Sequence, residues 1–121
     1  MHTLTMKFGG TSVGTIEALR SLTEIIRQAQ RRAERVAIVV SAMSGVTDLL
    51  QEGITSASEG RTTRYAEIEQ TLRMRHSDVL QALAPGEASV VMAEVGGLIT
   101  DFVGFCDSVS VLGEVTPRTL D

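Results

Sequence analysis

Apolar and polar positions alternate over residues 3–8. Leu4, Met6 and Phe8 fall on one side and Thr3, Thr5 and Lys7 on the other, which predicts a short strand. The period then lengthens. Ile16, Leu19, Leu22, Ile25, Ile26 and Ala29 recur at three- and four-residue steps, predicting an amphipathic helix over 15–33 with Thr15 as its N-cap. Its opposite face carries Arg20, Glu24, Arg27 and Arg31, with Glu24 and Arg27 spaced for an i,i+3 ion pair. Residues 35–41 hold Val36, Ile38, Val39 and Val40 without alternation, the pattern of a strand covered on both faces in a parallel sheet. Strand, helix and strand in succession make a βαβ unit with a right-handed crossover.

A loop over Ala42–Val46 follows, and a helix is expected from about Thr47 to Ser58, ended by Gly60. Beyond Arg61 the spacing is helical throughout. Tyr65, Ile68, Leu72, Val79 and Leu83 mark one helix, Pro85-Gly86 a turn, and Val91, Val95, Leu98, Phe102, Phe105, Val109 and Leu112 a second helix with near-heptad spacing. The fold class is therefore α/β: a βαβ unit over 1–60 with parallel strands, then an antiparallel helical hairpin over 61–115. Gly96-Gly97 and Gly104 cost ~1 kcal/mol each inside a helix relative to Ala. They either permit close helix approach or break the helix. Thr116-Pro117 resembles the opening of another helix, and a buried second strand needs neighbours on both sides, so a piece of a longer protein is expected.

Composition narrows the function classes. With 121 residues the chain is at most one ordinary domain, and a net charge of −4 disfavours a general nucleic-acid binder. The lone Cys106 excludes an internal disulfide and a Cys-rich zinc site. The opening residues lack the pattern of a signal peptide, and no apolar run is taken to approach the ~20 residues of a membrane span. A reduced, cytoplasmic setting with no membrane and no nucleic acid is expected. One count is sharper. There are ten arginines but a single lysine, Lys7, and the two residues are not interchangeable at a phosphate or in a catalytic pocket.

Lys7 opens the run Lys7-Phe8-Gly9-Gly10-Thr11-Ser12. Paired glycines at a strand end let backbone approach a ligand closely, and successive amides form an anion-binding concavity. A helix opening near Thr15 adds a positive dipole end, and Lys7, Thr11 and Ser12 add a charge and hydroxyls. Every part favours a polyphosphate, although a Gly-rich βα turn without a ligand uses similar residues. The run matches neither the Walker-type P-loop nor G-x-G-x-x-G. A second cluster, Ser41-Ala42-Met43-Ser44-Gly45-Val46-Thr47-Asp48, follows the second strand, and parallel sheets bind ligands beyond their carboxyl ends. Ser41 and Thr47 suit a small polar substrate, and equally suit turn formation and helix capping.

Together, the run from Lys7 to Val13 and the run from Val39 to Leu50 resemble the start of the aspartokinases, which have the amino-acid-kinase fold. The resemblance covers essentially the whole chain, because that family also places a helical hairpin after the second run. It implies transfer of the ATP γ-phosphate, with Mg2+, to the side-chain carboxylate of L-aspartate, the committed step towards lysine, methionine and threonine. It further implies that Lys7 is catalytic, that Lys7, Phe8, Gly9, Gly10, Thr11 and Ser12 bind the nucleotide, and that Ser41 and Thr47 lie at the aspartate site. The later catalytic residues, the adenine pocket and the regulatory domains of that family have no counterpart here, so the chain alone is expected to be inactive. The N-terminal part of a bifunctional aspartokinase–homoserine dehydrogenase fits the same residues. A different class of reading makes 61–112 a helical interaction module. A homo-oligomer through the apolar surface of the hairpin or the uncovered sheet is expected.

Overall fold

A computed structural model describes residues 2–113. The expected helix start at Thr116-Pro117 and the last two residues of the 61–115 hairpin lie outside them. The chain divides into two compact units, residues 1–47 and 48–121.

In the first unit, β1 (Thr3–Phe8) and β2 (Arg35–Val40) pair in parallel, with Leu4 opposite Val36, Met6 opposite Ile38 and Phe8 opposite Val40. Helix α1 (Ile16–Arg32) connects them. Thr15 caps it as expected, its Oγ1 accepting from the Ala18 amide at 3.1 Å, and Arg31 and Arg32 in the last turn complement the helix dipole. Glu24 and Arg27 approach to 3.7 Å on the solvent face, a weak exposed pair.

The strand patterns differ in outcome. Leu4, Met6 and Phe8 are half-buried while Thr3, Thr5 and Lys7 are exposed, so β1 follows its alternation. The β2 expectation of cover on both faces is not met among the described residues: Val39 and Val40 are 52% and 54% exposed. The reason is the size of the sheet, which has two strands among the described residues.

The second unit is built from α2 (Val46–Ser58), whose first two residues fall in the first unit, with α3 (Thr62–Leu83) and α4 (Ala88–Leu112). Gly60, at φ 72°, turns the chain between α2 and α3 in the left-handed region that glycine enters without penalty. The sequence grouped residues up to 60 with the βαβ unit, but α2 packs on the hairpin. Its Ile54 and Ala57 share a core with Tyr65, Cys106 and Val109. Its Gly53 lies so close to the Phe102 ring that a Cβ there would stand 2.8 Å from Cζ. Arg64 on α3 forks onto Glu52 of α2 at 2.8 and 2.9 Å and also reaches Glu67 at 3.1 Å.

Helix α4 runs unbroken through all three glycines, which settles one of the two readings left open. Only Gly96 has a close neighbour, Arg73 Nη1, 3.2 Å from where its Cβ would stand; Gly97 and Gly104 face open space. Arg73 in turn donates to Glu69 at 2.9 Å and to Thr100 at 3.0 Å. The heptad register needs correction. Ala88, Ile99, Cys106 and Val109 are the buried positions, whereas Leu98 and Leu112 are 69% and 74% exposed. Two seams of identical spacing run along this helix and share Val95, Phe102 and Val109, so spacing alone does not choose between them. A second correction concerns membranes. By length and composition α4 is long and apolar enough to cross a bilayer, with 25 residues and a mean hydropathy of 1.5 over an 18-residue stretch. Counting uninterrupted runs missed it because Glu94 and Asp101 divide the apolar positions.

Candidate functional site

Lys7 and Phe8 end β1 with their side chains on opposite faces of the sheet. Phe8 turns towards α1 and, with Ser12, Ala18, Ser21, Leu22 and Ile25, lines a largely apolar hollow of about 180 Å³. Lys7 is exposed on the other face, and its register partner is Val39. No ion pair or hydrogen bond engages the Lys7 amine among the described residues.

After Phe8 the chain does what its glycines permit. Gly9 is extended, at φ −82° and ψ −177°, and nothing stands within 4 Å of where its Cβ would be. Residues Gly10–Val13 then coil into one 3₁₀ turn, closed by Ser12 N donating to Gly9 O at 3.0 Å, with Val13 buried as its anchor. The amides of Gly10 and Thr11 open that turn and so have no acceptor within it. This turn was not anticipated from the sequence. It includes the second glycine of the pair and stands between Gly9 and α1, so the open amides of Gly10 and Thr11 belong to the 3₁₀ turn and not to the helix beginning at Ile16.

The second loop leaves the sheet beside the first. Ser41 N donates to Phe8 O at 3.1 Å, extending the ladder one step beyond the strands. A Cβ on Gly10 would lie 3.9 Å from Ser41 Oγ, ordinary van der Waals distance. The Ser41 hydroxyl itself donates to Ala42 O at 3.0 Å. Val46 N then donates to Met43 O at 3.0 Å, with Gly45 at φ 83° inside that turn, and α2 begins. Thr47 is exposed in the first turn of α2.

All eight residues singled out in the sequence therefore lie in the first unit, and the Gly9–Ser12 turn and the Ser41 loop adjoin at one end of the sheet. Gly14 was missed. A Cβ there would stand 3.1 Å from both Gly10 O and Ser44 Cβ, so it is a point where the two loops touch. Its only sequence signal is a glycine immediately before an N-cap. Among the described residues no three His, Cys, Asp or Glu side chains converge to hold a metal. What the first loop offers is open backbone amides and, at the end of β1, one amine, groups whose chemistry suits an anion.

The sequence profile of the amino acid kinase family matches residues 3–114. The chain belongs to the amino acid kinase family. Within that class it is similar to aspartokinases. It is 40% identical over 81 residues to the aspartokinase of Chlamydia trachomatis, a match covering 66% of this chain and 17% of that protein. Against the aspartokinase of Pseudomonas aeruginosa it is 44% identical over 50 residues, 41% of this chain and 12% of that protein. A bifunctional aspartokinase/homoserine dehydrogenase of Arabidopsis thaliana is 26% identical over 115 residues, 95% of this chain and 12% of that protein. The chain thus spans a small fraction of the length of the curated relatives it matches.

Proposed function

We propose that this chain is the phosphate-loop and substrate-loop portion of an aspartate kinase, which transfers the γ-phosphoryl group of ATP to the side-chain carboxylate of L-aspartate and yields 4-phospho-L-aspartate. The observation that carries the reading is the adjacency of two loops at one end of a parallel sheet, one with an unpaired lysine and exposed glycine backbone, the other with hydroxyl side chains. The similarity to aspartokinases supports the choice of acceptor.

In this reading Lys7 neutralises charge on the transferring phosphates, and the Gly10 and Thr11 amides take phosphate oxygens. Gly9 gives the nucleotide room to approach the backbone, and Ser12 closes the turn. Ser41 and Thr47 hold the aspartate. Phe8 contributes through its backbone, because its ring lies on the α1 side. A carboxylate oxygen of aspartate attacks the γ-phosphorus, the bond to the β–γ bridging oxygen breaks, and ADP departs. No general base is required, since a carboxylate with a pKa near ~3.9 is already ionised at neutral pH. Positioning and charge stabilisation supply most of the acceleration in such transfers, and a lysine with fixed amides provides both. The step assigns no role to a protein-held metal; magnesium arriving on the nucleotide's own phosphates needs few protein ligands.

The test is ADP release by the full-length enzyme with aspartate and ATP. Lys7→Ala should abolish most of the turnover while the protein stays folded, and an unchanged rate would refute the assignment. Residues 1–121 alone should give no turnover, because the described residues offer loops for the phosphates and the acceptor but no enclosing nucleotide pocket.

A further inference from the structure

We draw no further inference here: the strongest candidate, the exposed apolar seam that Leu98, Phe105 and Leu112 form along α4 beside the open glycines Gly97 and Gly104, lies on a helix whose charged residues are all carboxylates and so does not complement a second copy of itself, and nothing in the structure shows what covers it.

Discussion

The backbone amide of Ser41 donates to the carbonyl of Phe8 at 3.1 Å, one step beyond the last paired residues of the two strands. This bond ties the first residue of one loop to the residue just before the other. In the proposed function a phosphate sits after β1 and an acceptor after β2, and this bond makes the sheet register the element that sets their separation. Phosphoryl transfer is sensitive to that distance, because a displacement of about 1 Å can cost two orders of magnitude in rate.

The two loops should separate kinetically. In the full-length enzyme, Ser41→Ala and Thr47→Ala should raise KM for aspartate by more than they lower kcat. Lys7→Arg should lower kcat by about 10²-fold or more, in the range of losing one charge-stabilising donor, with KM for aspartate little changed. The arginine fork keeps the charge but not the shape of an amine. Steady-state kinetics with both substrates varied will decide. A wild-type kcat for Lys7→Arg would remove the shape argument, and a pure kcat effect at Ser41 and Thr47 would remove them from the acceptor site.

Three glycines inside helices make opposite predictions. Gly97 and Gly104 face open space, so Gly97→Ala and Gly104→Ala should each stabilise the chain by up to about 1 kcal/mol through helix propensity. Gly53→Ala gains the same propensity but drives a methyl to 2.8 Å from the Phe102 ring, and overpacking costs about 1–3 kcal/mol. Gly53→Ala should therefore melt at or below the parent while the other two melt above it. Equal stabilisation at all three positions in urea titrations would show that the Phe102 ring yields freely.

The same contrast explains what was legible in the residues alone. Elements with one buried face announced themselves: the alternation of Leu4, Met6 and Phe8 and the steps from Ile16 to Ala29 each have one period and one solution. The buried face of α4 did not, because the helix is apolar on more than one face, so Leu98 and Phe105 fitted the inner seam as well as Ile99 and Cys106 did. The 3₁₀ turn at Gly10–Val13 was invisible for a different reason. Four residues have no period, and Gly-Gly-Thr-Ser permits several conformations. The Lys7 run stood out as a candidate because a lone lysine among arginines is a chemical signal and needs no geometry.

A buried hydroxyl offers a stability test that needs no ligand. Ser56 is fully buried on α2 and its Oγ has no hydrogen-bond partner. Burying a hydroxyl without a partner costs about 1–3 kcal/mol in mutational series. Ser56→Ala removes that oxygen and little volume, so it should raise the stability of the chain by about 1 kcal/mol in urea or thermal unfolding. A loss of stability would mean that the hydroxyl is satisfied in solution, for which a buried water is the natural partner.

Alkaline pH should weaken the second unit through two neighbouring groups. Tyr65 donates to Asp107 Oδ1 at 2.6 Å, and that bond together with burial holds its phenol above the ordinary tyrosine range. Burial, aided by the Asp107 charge, pushes the Cys106 thiol up to about 11. Both groups are held protonated in the folded chain, so above the unfolded-state pKa the unfolded chain binds fewer protons and stability falls as pH rises. The cysteine contribution is whole below about pH 8.5, its ordinary value, and is lost by about pH 11, with the tyrosine contribution declining from about pH 10 upward. Unfolding measured from pH 7 to 11 should therefore show a progressive loss. In Cys106→Ala the slope below pH 10 should flatten, although the chain is less stable throughout because a buried side chain is lost. In Tyr65→Phe the slope above pH 10 should flatten, and stability at pH 7 should drop by about 1 kcal/mol for the lost hydrogen bond. The same burial makes the thiol slow to react with an alkylating reagent at neutral pH until the chain is unfolded. A thiol that alkylates as fast in the native chain as in urea would contradict the packing of Cys106 between α2 and α3.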